Sequence, residues 1–273
     1  MANQVWAIMM VRDEEDIIAY TLQHLISEGV SGIILGDHQS VDTTFSRAAE
    51  VAVQNPQVPI YPVKVEEPGY YQSVIMTQLM QLAIDAGATH ILPCDADELW
   101  YSPDGRQVTE VISENDGAVA AVCYNHCETG LDDHNIENPF ERMLYRWDMI
   151  HCRRIAFKTF PGAIITQGNH GVLVRGKSLP QRDLLAVRHY PWRGFDQFLH
   201  KTKVAGESLA KTKGLPQVFG GHWRGYKNIL DAGGVFALRA LYDSWFFYKD
   251  PLPNGLLLDP APYCKTSKRR KRK

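Results

Sequence analysis

The chain lacks several things that would each assign it to a class. No apolar run approaches the 18 or so residues needed to span a bilayer. The first 30 residues carry acids at positions 13–16 and no charged-then-apolar leader pattern, so no secretory signal is read there. Five cysteines, Cys94, Cys123, Cys127, Cys152 and Cys264, include no Cys-x-x-Cys pair. That argues against a disulfide scaffold or zinc ribbon and for reduced thiols in a cytoplasmic protein. No Gly-x-Gly-x-x-Gly run is present, and no strand–loop–helix phosphate loop is read anywhere. Those absences disfavour a dinucleotide oxidoreductase and a P-loop ATPase. There is no internal repeat, no Pro-rich linker and no sharp composition break before the tail.

What is present is a 273-residue chain, 45% hydrophobic, enough for one large α/β domain. The simplest account is one domain over 1–264, with residues 1–100 binding nucleotide and 101–264 facing an acceptor, followed by a basic tail over 265–273. Net charge is only −2, but the tail holds seven Lys or Arg and no acid. The remainder therefore has 22 basic and 31 acidic residues, a net −9. Such a basic block is normally disordered. Two uses stay open: an inert solubilising end, or a contact with an anionic membrane surface that would make the protein peripheral. Nucleic acid is not the favoured partner.

The first hundred residues alternate strand and helix signals. Strands are expected at 5–11, 32–35, 60–65 and 89–94, with helices over 14–28, 43–54 and 70–86 between them. Ile17, Ile18, Leu22, Leu25 and Ile26 share one face of the first helix, and Gly29 stops it. The rhythm predicts an α/β fold with a mainly parallel Rossmann-like sheet and helices on both faces. Right-handed crossovers then put all four strand ends on one edge. Beyond residue 100 the pattern predicts a helix over 107–115, a strand over 118–124, an irregular stretch over 125–148, short strands at 155–159, 163–167 and 171–175, and helices over 195–211 and 235–248.

The densest chemistry lies in Ile91-Leu92-Pro93-Cys94-Asp95-Ala96-Asp97-Glu98, where an apolar approach ends in acids. Ligands of open α/β sheets bind at the carboxyl edge. On extended chain, residues two apart share a side, about 6.5–7 Å from each other. Asp95 and Asp97 are therefore expected to face one ligand, with Glu98 pointing away. One or two carboxylates suit Mg²⁺ or Mn²⁺, with phosphates and waters completing the shell. Asp13-Glu14 and Asp37 end the first and second strands, so three acidic groups converge on the same edge. Acids hold a base or ribose through its donors, and phosphate only through a cation.

The runs Val11-Arg12-Asp13-Glu14-Glu15-Asp16-Ile17-Ile18, Asp37-His38-Gln39-Ser40-Val41-Asp42-Thr43-Thr44 and Asp95-Ala96-Asp97-Glu98 resemble a family 2 glycosyltransferase of the GT-A fold, in a bacterial and phage branch. The family usually has Asn-Glu where this chain has Asp13-Glu14. It usually has Asp-Asn-Gly-Ser-x-Asp-Gly-Thr where this chain has 37–44, so two glycines are absent. The match is strongest over residues 5–100. Later, Gln167-Gly168-Asn169-His170 and Arg188-His189-Tyr190-Pro191 resemble segments of the same branch.

The resemblance implies an NDP-sugar donor, a divalent cation (Mn²⁺ or Mg²⁺), and inversion at the anomeric carbon. It places Arg12, Asp13, Glu14 and Asp37 near the nucleotide, Asp95 near ribose and metal, and Asp97 as chief metal ligand. His170 is the candidate third ligand. His189, with Arg188 and Arg193 nearby in sequence, is a candidate for the diphosphate. The acceptor, a glycan, a lipid-linked group or a protein, is not specified. For the base that takes the acceptor's proton, Glu141 is the sequence candidate among Asp132, Asp133, Glu137, Glu141 and Asp183. A surface acid paired with Arg142 is the plainer reading of Glu141. Tyr190, Trp192, Phe195, Trp223 and Tyr226 can stack on a sugar or simply pack. Two other classes are weighed. A nucleotidyltransferase would want a Gly-rich basic loop where 9–18 is acidic. A non-catalytic binding protein would not need the Asp95-x-Asp97 pair.

Overall fold

The computed structural model describes residues 3–216 and 218–260. The basic tail and Cys264 fall outside them. β1 (Val5–Val11), α1 (Ile18–Ser27), β2 (Gly32–Asp37), α2 (Thr44–Gln54), β3 (Ile60–Lys64), α3 (Gln72–Asp85) and β4 (His90–Pro93) alternate as their sequence periodicity requires. β1 pairs in parallel with β2 and with β4, and β2 pairs in parallel with β3. The spatial order is thus β3-β2-β1-β4. These strands are apolar on both sides because helices cover both faces. α1 and α2 pack with Ile17, Leu22, Val51 and Leu35 on one face; α3 packs with Ile8, Ile34, Met76 and Leu79 on the other. The Rossmann-like α/β sheet is therefore present, with helices on both faces. Successive crossovers run one way from β1 to β3, while β4 lies on β1's other side. That reversal opens a crevice at the carboxyl ends of β1 and β4.

The second half differs more from expectation. β5 (Glu98–Tyr101) returns immediately after the acidic turn. It is followed by α4 (Val108–Ser113), β6 (Ala118–Thr129), α5 (Pro139–Arg142), β7 (Tyr145–Trp147) and β8 (Cys152–Lys158). β8 runs antiparallel between β4 and β6, so the large sheet is mixed beyond β4. β6 extends five residues past the expected end because Asn125 to Thr129 find new partners in later strands. β9 (Ala163–Ile165), β10 (Val172–Val174) and β11 (Lys177–Ser178) form a small separate sheet. Gly171 to Ser178 spells Gly-x-x-x-x-Gly-Lys-Ser, a match the sequence reading above does not weigh. Here it is a hairpin, with Arg175 and Gly176 at φ 50° and 76° and no helix after it. It therefore lacks the strand-to-helix nest that cradles phosphate.

β12 (Gln181–His189) runs parallel to β6 and antiparallel to β5, which brings His189 opposite Glu98. α6 (Phe195–Lys211) has the expected bounds. α7 (Gly221–Trp245) begins 14 residues earlier than expected, and Gly234 at φ 69° interrupts it. The sequence pattern detects only the stretch after that interruption. β13 (Phe247–Tyr248) and β14 (Leu256–Leu258) close the described chain on β6 and β7. No helix among the described residues is long and apolar enough to cross a membrane.

Candidate active site

The loop after β1 is built by the loop after β2. Asp13 sits at φ 52°, a conformation Asp tolerates better than most residues. Its N–H donates to Ser40 Oγ at 3.1 Å, and its Oδ1 accepts the Val41 N–H at 2.7 Å. The Glu14 N–H donates to Thr44 Oγ1 at 2.7 Å, and the Glu15 N–H to Asp42 Oδ2 at 3.1 Å. Gln39 stands where the family's first glycine would be and holds φ 63°. The Ser-Val-Asp-Thr-Thr run is thus a scaffold that aims Glu14. Asp37 caps its own turn by accepting the Ser40 N–H at 3.1 Å.

Asp95 to Asp97 form a turn between β4 and β5, closed by the Glu98 N–H to the Asp95 carbonyl at 3.2 Å. The expected extended geometry is therefore replaced by a turn. The separation of roles survives for a different reason. Glu98 is fully buried as the counter-ion of Arg154 and accepts the Asp95 N–H and Trp100 Nε1–H, each at 3.2 Å. Asp95 and Asp97 both line a cavity of about 580 Å³ at the β1/β4 crevice.

Arg12, Glu14, Asp95, Asp97, His170 and His189 all line that cavity. Asp13, Asp37 and Glu141 do not. Asp13 is spent on the Val41 amide and on His200, 2.8 Å from its Oδ2. Glu141 is exposed on the short helix α5.

The acids are not bare. Lys201 Nζ bridges Glu14 Oε1 at 2.7 Å and Asp97 Oδ2 at 3.0 Å. Arg193, wholly buried, reaches Glu14 at 2.6 Å, Asp16 at 2.7 Å and Asp97 at 3.6 Å. Burial opposes ionisation of Asp97, but Lys201, His189 and Arg193 outweigh it and hold its pKa well below the ordinary value. Burial also dominates at Glu14, and there the pKa is raised in spite of Lys201 and Arg193. Asp95 differs again. Burial and the Glu98 charge lift its pKa to about 7, against the pull of Arg154. Its Oδ1 accepts from Asn169 Nδ2 at 3.0 Å, and its Oδ2 lies 3.4 Å from Arg154 Nη2.

The two histidines have distinct surroundings. His170 Nδ1 faces the Arg153 carbonyl at 2.9 Å and Arg154 Nη1 at 3.1 Å. His189 Nδ1 faces Asn125 Oδ1 at 2.8 Å, and its Nε2 lies 3.5 Å from Asp97 Oδ1. The two ring nitrogens of His189 thus face Asn125 and Asp97, with Nε2 on the cavity side. His170 is therefore placed beside a guanidinium, and His189 beside a carboxylate. Among the described residues no three His, Cys, Asp or Glu side chains converge on one point.

Lys201, Arg154, His151 and His222 also line the cavity and were not singled out from sequence. Arg154 and His151 sit on or beside an ordinary-looking strand. Lys201 is one of three lysines on α6, and nothing local marks it. Arg193 belongs to the cationic run noted from sequence. Its neighbour Arg188 instead pairs with Asp259 at 2.9 Å, away from the acids.

No family model matches the chain, and no curated protein does. Among solved structures, the mannosyltransferase PcManGT from Pyrobaculum calidifontis, in complex with GDP-Man and Mn²⁺, is similar over 89% of this chain and 75% of its own. Identity is 17% and the TM-score 0.45.

Proposed function

We propose that this chain is a GT-A glycosyltransferase of family 2 type, moving a sugar from an NDP-sugar to an acceptor hydroxyl with inversion. One observation carries the reading. Glu14 from the end of β1 and Asp95 and Asp97 from the end of β4 enter one cavity at the switch point of a parallel sheet, beside Arg12, Arg154 and Lys201. Acids there suit the hydroxyl and N–H donors of a nucleoside, and the cations suit a diphosphate.

The donor set fits a divalent cation in one place. Asp97 Oδ1 and His189 Nε2 supply an oxygen and an imidazole, a set better suited to Mn²⁺ than to Mg²⁺. Two protein ligands leave the remaining positions to water and donor phosphates, as is usual for such ions. His189 thus takes the ligand role that sequence gave to His170, because Arg154 stands against His170. When bound, the ion supplies Lewis-acid neutralisation of the leaving diphosphate. Lys201 supports that end of the site from α6.

In an inverting transfer the acceptor oxygen bonds to the anomeric carbon as the carbon–oxygen bond to the diphosphate breaks. The acceptor's proton goes to a side chain. His151 lines the cavity, and burial holds its pKa below the usual 6.5, so it is neutral and able to accept at pH 7. Glu141, the sequence candidate, would have to reach the cavity from outside its lining. His151 is therefore the preferred base.

The test is a thermal-shift panel of UDP, GDP, CDP and dTDP with and without Mn²⁺. A ligand at a hundredfold excess over its Kd adds about 2.7 kcal/mol. One nucleotide should stabilise the protein in a Mn²⁺-dependent way, and Asp97→Asn should remove the Mn²⁺ dependence. If no nucleotide stabilises the wild type under either condition, the reading falls.

A further inference from the structure

The cavity has two walls of different chemistry. Besides the acids, the lining includes Trp192, Trp223, Tyr226 and Phe246, with His222 exposed beside them. Behind these rings, Phe198, Leu238 and Tyr242 are fully buried and form the local core. The wall rings themselves are only partly buried. They are fixed against one another: Trp192 meets Trp223 edge-on at 5.2 Å and 74°, and Trp223 meets Tyr226 at 5.9 Å and 88°. Trp192 also packs on Phe246 at 4.9 Å, and His222 on Trp223 at 5.1 Å. Such a surface has little rotamer freedom left to lose when a ligand lands on it.

Its polar handles are free. Among the described residues, no hydrogen bond is made by the indole N–H of Trp192 or Trp223, by the Tyr226 hydroxyl, or by the His222 ring. Burial raises the Tyr226 pKa and lowers that of His222. Aromatic side chains with unspent donors suit a ligand that is apolar on one face and hydroxylated at its edge. A bare alkyl chain would not use the handles, and an anion would want cations, which this wall lacks.

The wall also adjoins the reacting end of the cavity. Trp192 lies three residues after His189 on the same segment. The His151 and His189 rings lie 6.2 Å apart, and His151 and His222 both line the cavity. His151, His189 and Asp97 thus stand together, and the same cavity lining carries on to His222, which packs on Trp223.

We propose that this wall is an acceptor subsite for a pyranose ring, so that the acceptor hydroxyl belongs to a sugar. The inference rests on the glycosyltransferase reading and specifies its acceptor class. The C–H face of the ring lies on Trp223, and its hydroxyls use Tyr226, His222 and the indole N–H groups. A free glycan end and a lipid-linked glycan would present the same ring.

The probes are the methyl glycosides of β-glucose, β-galactose, α-mannose and N-acetyl-β-glucosamine, followed by saturation-transfer NMR on the wild type with the stabilising nucleotide and Mn²⁺. At least one glycoside should bind. Trp223→Ala should weaken it about tenfold and Trp223→Phe far less, as expected for loss of one aromatic face. Nucleotide-induced stabilisation should persist in both variants. Should Trp223→Ala fail to fold, His222→Ala, at an exposed position, serves instead, with a smaller loss expected. Octyl glycosides separate the sources: much tighter binding than the methyl forms points to a lipid-linked acceptor, equal binding to a free glycan end. If a nucleotide binds but no glycoside does, or if glycoside binding survives Trp223→Ala intact, the inference is overturned while the donor reading stands. If no nucleotide binds, the donor reading itself fails, and the inference with it.

Discussion

Glu98→Gln separates stability from donor binding at the acidic turn. Glu98 is fully buried, and its carboxylate serves three donors: Arg154 Nε, Trp100 Nε1 and the Asp95 amide. A glutamine offers one acceptor oxygen and turns an NH₂ group toward one of those donors. Removing one partner of a buried ion pair costs roughly 3–5 kcal/mol. Arg154 keeps the Gly168 carbonyl at 3.0 Å and Asp95 at 3.4 Å, so the lower end applies. About 3 kcal/mol corresponds to a fall of about 6–12 °C in Tm for a chain of this size. Differential scanning calorimetry measures it. Glu98→Gln/Arg154→Met should recover part of the loss, since no unpaired charge then remains at the pair. A Tm within about 2 °C of wild type would refute the assignment of Glu98 as a structural counter-ion, given that shift per kcal/mol. Below its melting temperature, Glu98→Gln should keep Mn²⁺-dependent nucleotide binding.

Asp97→Asn should abolish turnover with little loss of secondary structure, because Glu14 and Asp16 still pair with Arg193 and Lys201; wild-type rates at saturating Mn²⁺ would contradict its role. His151→Asn should lower kcat by about a hundredfold or more, the usual range for a lost general base, whereas Glu141→Gln should stay near wild type; the reverse result returns the base to Glu141. Since burial keeps His151 neutral to below its usual pKa, the acid limb of the wild-type kcat profile should lie under pH 6.5 and vanish in His151→Asn. Asp259 accepts from Arg146 and Arg188, each at 2.9 Å, and against burial, His126 and Arg188 depress its pKa. Its stabilising effect is therefore complete above the ordinary Asp value near pH 4 and lost as pH falls through the depressed one; Asp259→Asn should cost about 2 kcal/mol at pH 7, and urea titrations at pH 7 and pH 3 should show the gap to wild type closing in acid.

The sequence by itself determined the parallel-sheet half of the fold. Each strand and helix up to Pro93 is marked by local periodicity and by glycine stops at 29 and 87, signals that need no distant partner. Once a parallel order is accepted, the meeting of Glu14, Asp95 and Asp97 at one edge follows from chain direction alone. Tertiary structure decided what those acids face. Lys201 comes from a helix more than 180 residues beyond Glu14, and Arg193 from the segment just before it. On a one-dimensional reading Lys201 is an ordinary surface cation, and Arg193 stands out only as part of a cationic run beside His189, with nothing to say that it pairs with Glu14, Asp16 and Asp97. The sequence reading sent His170 to the metal and His189 to the diphosphate; which of them meets Asp97 depends on β12 pairing with β5, a register invisible in local pattern. Likewise Glu141 looks available in a polar stretch, yet α5 lies outside the cavity lining. The aromatic wall was legible only as a surplus of rings. Which rings fill the core and which face the cavity was set by how α6 and α7 pack, because burial belongs to the assembled surface and not to the residue type.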